Sequence, residues 1–166
     1  MKIKELIEKL ESSKEFKEWK KENYASSLVH VFKMFDEANK DDWQIGFYNP
    51  DDTITTFIIG KEGIQILPEA EIFKKPDAKI MKLSVEDIKV ELDEAIGDAR
   101  KFQEKEYPNE KPTKEIVILQ KLDRGLVYNI TFVTQAFNTL NIKIDAKTGK
   151  VVHHKLMSLM DLKAKE

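Results

Sequence analysis

Residues 43–67 read WQIGFYNPDDTITTFIIGKEGIQIL, and this stretch decides the fold class. Trp43, Ile45 and Phe47 alternate with Gln44, Gly46 and Tyr48, the two-residue period of a strand whose faces meet different surroundings. Asn49-Pro50-Asp51-Asp52 is turn chemistry: proline presets φ for the second turn position, and Asn or Asp suits the first. Thr53 to Ile59 is β-branched almost throughout, which favours a second strand. Gly60-Lys61-Glu62-Gly63 turns the chain again, and Ile64 to Leu67 supplies a third strand. Connections this short join antiparallel neighbours, so the stretch reads as a three-stranded meander.

Upstream, residues 2–22 carry alternating charges on a helical pattern, with Glu5 and Lys9 one turn apart and Lys14 and Glu18 likewise. Ser12 and Glu15 have capping-box spacing. Phe16, Trp19, Leu28, Val31, Phe35 and Ala38 recur at or near helical spacing, which predicts one long helix from about 14 to 39. Asn39 to Asp42 ends it.

Downstream, Pro68 to Leu83 reads as a connector with Pro68, Pro76 and four lysines. Ser84 with Asp87 predicts the cap of a second helix, whose stripe is Ile88, Leu92, Ala95, Ile96, Ala99 and Phe102. Its front is acidic and its rear basic, as the helix dipole favours, and Tyr107-Pro108-Asn109 ends it. Ile116–Leu122, Leu126–Thr134, Leu140–Asp145 and Val151–Lys155 read as strands, joined by Asp123-Arg124-Gly125 and by Asp145 to Lys150. Gly149 suits the positive φ of the latter hairpin.

The segment Leu140-Asn141-Ile142-Lys143-Ile144-Asp145-Ala146-Lys147-Thr148-Gly149-Lys150-Val151-Val152 resembles the strand–turn–strand that closes a PepSY domain, with its Ile-Asp-Ala-x-Thr-Gly-x-Val ending. The helix from Ser84 and the strand Val127-Tyr128-Asn129-Ile130-Thr131 stand in the family's order. The resemblance covers about 84 to 155, and 14 to 67 by analogy, since the first copy lacks the Asp-Ala-x-Thr-Gly turn. It implies an α+β fold of two helix-plus-antiparallel-meander units, PepSY-like, with helices packed on antiparallel sheet. The expected organisation is one compact chain, 1–166, with a degenerate first unit at 14–67, a connector at 68–83 and a second unit at 84–157. The resemblance also implies a non-catalytic role, often proposed as restraint of peptidases or binding at the cell envelope.

A chain of 166 residues is long enough to bury a core without a metal or disulfide staple. It has no cysteine, which excludes disulfides, thiolate metal sites and thiol catalysis. The net charge of −2 supplies no long-range field for nucleic acid or an anionic membrane, so neither is an expected partner. Charges interrupt the first residues too often for a secretory signal, and no run approaches a membrane span; the expectation is cytoplasmic. The Lys, Glu and Ile richness is the bias of hyperthermophile proteins, so a thermophilic source is expected.

Catalytic and metal constellations do not assemble at the level of sequence. His153 and His154 are adjacent on a strand and point to opposite faces, so they cannot share an ion. His30 has no usual ligand one turn away on the expected helix. The Gly149-Lys150 pair lacks the first glycine of a phosphate loop and precedes a strand. Asp41-Asp42 and Asp51-Asp52 fall in exposed turns, where no environment sets two carboxyls apart for acid–base work. No catalytic residue, cofactor or metal is therefore expected, and the chain reads as non-enzymatic.

What remains is aromatic. Trp43 and Tyr48 have opposite parity on one strand, so one of them faces away from the first core. Trp43, Tyr48 and Tyr128 are the candidate partner-binding residues. The expected function is a protein-binding or regulatory module, acting through a sheet edge or the groove between units on a peptidase or other partner, with a second copy of the chain among the candidates. A cavity for a small apolar ligand between helix and curved sheet stays open as an alternative, as does an enzyme with a site assembled from scattered residues.

Overall fold

The computed structural model describes residues 2–39, 41–71 and 79–164. Two short helices, α1 (Ile3–Glu11) and α2 (Lys14–Glu22), open the chain. Then come β1 (Ser27–Phe35), β2 (Trp43–Tyr48), β3 (Thr53–Gly60), β4 (Gly63–Ile66) and the two-residue β5 (Ala70–Glu71). A single 3-10 turn, Val85–Asp87, precedes α3 (Leu92–Glu106). Four long strands follow: β6 (Pro112–Leu122), β7 (Gly125–Thr134), β8 (Asn138–Asp145) and β9 (Val151–Ser158), with α4 (Leu159–Ala164) after them. All strands join one nine-stranded antiparallel sheet of order β4-β3-β2-β1-β6-β7-β8-β9, with β5 also on β3. The fold is α+β, and the sheet dominates it.

The long helix expected from 14 to 39 is not formed. It stops at Glu22, and residues 27–35 are the central strand β1. Leu28, Val31 and Phe35 satisfy steps of three and four, but Val29, Val31, Lys33 and Phe35 also alternate with His30, Phe32 and Met34. That second period wins because β1 has two strands to pair with, β2 through Val31–Ile45 and β6 through Val31–Leu119. The cap is one residue later than expected: the Ser13 hydroxyl accepts from the Phe16 N–H at 3.1 Å. Likewise Ser84 makes no side-chain cap, and the second helix starts at Leu92 after Glu91. The meander of residues 43–66 matches its sequence reading strand for strand. Residues 72–78 of the expected connector lie outside the described residues.

One face of the sheet holds the core. Val31, Ile45, Phe57, Val117, Leu119, Tyr128, Ile130, Phe132, Leu140, Ile142 and Ile144 stand on it, against Ile3, Leu6, Ile7 and Leu10 of α1, Phe16 of α2, and Leu92, Ala95, Ile96 and Ala99 of α3. Phe16, Trp19, Phe47 and Phe57 pack with ring centroids 5.1–5.7 Å apart, tilted or edge-on. A two-point fork from Arg100 of α3 to Glu115 of β6, at 2.8 and 2.6 Å, ties helix to sheet. Met81 bridges Lys121, while Leu83 donates its N–H to Leu28 O at 3.0 Å and is buried in the core. Residues 81–83 thus run between the start of β1 and the end of β6. No described helix is long and apolar enough to cross a membrane.

Phe57 is fully buried at the middle of the aromatic cluster, so Phe57→Ala is expected to cost about 3–5 kcal/mol of unfolding free energy. Tyr24→Ala, at a position 82% exposed, is expected to change stability by less than about 0.5 kcal/mol. Urea unfolding of both variants checks the contrast.

Candidate functional site

Strand parity sorts the three candidate aromatics. Tyr48 and Trp43 do face opposite sides of β2. Trp43 stands on the helix-bearing side, half-buried, where it pairs with Lys33 in register. The Lys33 ammonium lies 4.6 Å from the centre of the Trp43 ring, a cation–π contact. Burial pushes the Lys33 ammonium below its ordinary pKa, against the opposing pull of Asp41 and Asp42. Lys33 escaped the sequence reading because β1 was read as helix. Tyr48 lies on the other face, half-buried, with its hydroxyl donated to the Asp52 carboxylate.

Tyr128 is a correction. It is fully buried against the helix layer, and its hydroxyl donates to Val90 O at 2.7 Å. Burial, and after it the charges of Glu91 and Glu94, holds its phenol well above the ordinary pKa. It anchors the segment before α3 and offers no surface to a partner. Its even position on β7 places it in register with Leu119 and Ile144, both core residues.

The face opposite the helices has two characters. Over β1, β2, β3 and β6 it is largely apolar: Phe32 pairs with Gln44 and Ile118, Met34 with Ile116, and Gln44 with Ile58, all half-buried. His30 lies flat there across Gly46, where an added Cβ would come within 2.1 Å of the imidazole. Burial lowers the His30 pKa. Over β6, β7 and β8 the same face carries a chain of polar side chains. Asn129 donates to Gln120 at 2.8 Å, Asn141 to Asn129 at 2.6 Å, and Lys143 to Asn141 at 3.2 Å. Asn141 also donates to Thr131 at 3.1 Å.

Beside Lys143, where this row of polar side chains ends, a cavity of about 720 Å³ opens between the β6–β7 turn and the start of β9. Met81, Leu122, Val127 and Val152 give it apolar walls, and Lys79, Lys121, Arg124, Lys143 and His153 surround it with Asp123 as the one acidic residue among the described lining. His153 and His154 diverge as their adjacency requires. His153 lines this cavity. His154 lies on the helix side, 4.9 Å from the Phe102 ring, with a 2.7 Å hydrogen bond between its Nδ1 and the Tyr107 hydroxyl. Burial is the first cause lowering the His153 pKa, followed by the positive charges of Lys143 and Arg124. The cavity draws on four separate segments, and no local motif announces it.

The sheet has unequal ends. At one, β4 is four residues long and mostly exposed. At the other, β9 is eight residues long and pairs with β8 alone among the described residues. The acidic turns behave as turns: Asp41 pairs with Lys61 at 2.9 Å, and Asp51 accepts from the Thr53 hydroxyl at 2.6 Å.

Comparison with known proteins finds no matching family model and no matching curated protein. Among solved structures the chain is similar to a "putative lipoprotein" from Clostridium difficile 630, with a TM-score of 0.57 and 20% identity over 86% of this chain and 90% of that one. The likeness is one of fold.

The His30 shift has a defined sign. As pH falls below the ordinary imidazole value of about 6.5, the unfolded chain takes up the proton first, and the folded state resists it. Stability is therefore fully present above that value and declines below it. Denaturant melts between pH 7 and pH 5 are expected to show a shallower decline for His30→Gln than for the wild type, with the contribution of His153 retained in both.

Proposed function

We propose that the chain is a non-catalytic binding module that takes up an extended segment of a partner protein along β9. The observation that carries this reading is the length of that outer strand: eight residues paired on one side only among the described residues. Strand edges left open present a row of backbone donors and acceptors, and strand addition uses them for affinity, with alternate side chains giving selectivity. The exposed row His154, Lys155 and Leu156 adds two polar groups and one apolar group along that edge.

The PepSY-like organisation belongs to the same proposal. The strand order places β1 and β6 side by side at the centre, with β2, β3 and β4 leading outward on one side and β7, β8 and β9 on the other. Helix followed by antiparallel strands occurs on each side of that centre, β1–β5 after α2 and β6–β9 after α3. Two helix-plus-meander units, 14–67 and 84–157, joined back to back through their first strands, account for this order. In that arrangement α1 extends the first unit, since Ile3, Leu6, Ile7 and Leu10 are all in the core. Residence in the cytoplasm is part of the reading; the name of the fold neighbour sets envelope attachment against it, and cell fractionation separates the two.

The test uses co-purification from the native lysate with wild-type protein and with Lys155→Pro, which removes a backbone donor from β9. The expected result is at least a tenfold loss of the captured partner with the proline variant. Equal capture contradicts edge pairing. Where the proline loosens β9 from β8, hydrogen exchange on the wild-type complex decides instead: outward amides of residues 151–158 gain protection on binding, and unchanged exchange there overturns the reading.

A further inference from the structure

The cavity beside the β6–β7 turn borders the start of β9, from which it takes Val152 and His153, and has a chemistry of its own. The chain as a whole is slightly acidic, at −2, and several described cations have carboxylate partners: Lys4 with Glu86, Lys61 with Asp41, Arg100 with Glu115, Lys114 with Asp36, Lys147 with Asp87. Around this cavity cations outnumber carboxylates among the described lining residues. Lys79, Lys121, Arg124 and Lys143 stand there with Asp123 as the single carboxylate among the described lining residues, and none of the four forms an ion pair with a described residue. Four cations around one described carboxylate give the site a positive character that favours an anionic ligand.

Two of the four are held in place. Lys143 is tethered at 3.2 Å to Asn141, itself fixed by Asn129 and Thr131 in the polar chain across β7 and β8. Arg124 donates one N–H to Val152 O at 2.9 Å, which anchors its guanidinium across the β6–β7 turn and the first residues of β9. A guanidinium has five N–H donors in a fixed fork, so most of its capacity remains for a ligand. The walls, in contrast, are apolar: Val127 is 1% exposed, and Met81, Leu122 and Val152 complete the lining. At about 720 Å³ the space is of the size that holds small organic ligands.

We propose that this cavity binds a small amphipathic carboxylate, its head between Arg124 and Lys143 and its aliphatic body against Met81, Leu122, Val127 and Val152. The cations select the charge, and the walls reject a fully hydrated anion that has no apolar body to bury. Nothing in the binding changes a covalent bond; the site takes up and releases its ligand.

The test is calorimetric titration of the full chain with octanoate, with octanol and inorganic phosphate as comparators. Octanoate is expected to saturate a single site, with octanol and phosphate each at least tenfold weaker. Arg124→Gln combined with Lys143→Gln is expected to weaken octanoate at least tenfold without moving the unfolding midpoint. Met81→Glu, a second variant independent of those two, is expected to weaken it by a similar factor by placing a carboxylate in the wall. The proposal is overturned by absence of saturable octanoate binding, by octanol binding as tightly as octanoate, by phosphate doing so, or by undiminished binding in both variants. None of these outcomes reads backbone pairing along β9, so they leave the edge-pairing reading where its own test puts it.

Discussion

Everything in this molecule depends on the antiparallel pairing of β1 with β6. That ladder, running from His30–Gln120 to Phe35–Glu115, is where the strands that precede α3 meet the strands that follow it. Without it the two sides would be separate sheets of five and four strands, each with its own exposed edge, and the two sets of helices would have no common floor. With it, α1, α2 and α3 bury their apolar stripes on one continuous surface. Because side chains alternate along a strand, covering one face commits the alternate residues of every strand to the other. The division of labour between the faces follows directly.

The covered face is packed with aromatic and branched side chains and leaves its few polar groups satisfied. Ser26 donates to Asn49, which in turn donates to Thr55, and all three are buried. The opposite face is assembled from half-buried residues of mixed kind, apolar on the β1–β3 side and amide-rich toward β8. Half-burial of Phe32, Ile58 and Ile118 at such positions places apolar area where a ligand or partner gains by covering it. The cations at the β6–β7 corner give that face its polarity. The open strand β9 borders the same corner, so Val152 and His153 contribute to the edge and to the cavity at once.

How much of this could be read in advance depends on whether the signal was local. The meander at 43–66 was legible because Asn49-Pro50 and Gly60 to Gly63 mark its turns, and Gly63 does adopt positive φ. The hairpin from Asp145 to Val151 was legible for the same reason, with Gly149 at positive φ and Asp145 accepting from the N–H groups of Lys147 and Thr148. The stretch from Leu28 to Phe35 was misread because its residues satisfy helical and strand periods together; only pairing with distant β6 chooses between them. Tyr128 looked like surface because an aromatic carries no sign of which parity is buried. Register with Leu119 settles it, and register is a long-range property. The cavity was illegible altogether, since Met81, Arg124, Lys143 and His153 meet only through three strand pairings and one bridge.

The measurement that bears most directly on this one-sided architecture exploits the absence of cysteine from the chain. Single cysteines introduced by Ile118→Cys and Leu119→Cys sit next to each other on the central strand β6, one on each face. Their reaction rates with a small thiol reagent under native conditions report access to the two faces separately. The expected result is at least a hundredfold slower labelling at position 119 than at 118. Equal rates at the two positions would mean that both faces are covered or both open, and would contradict a sheet with its helices on one side.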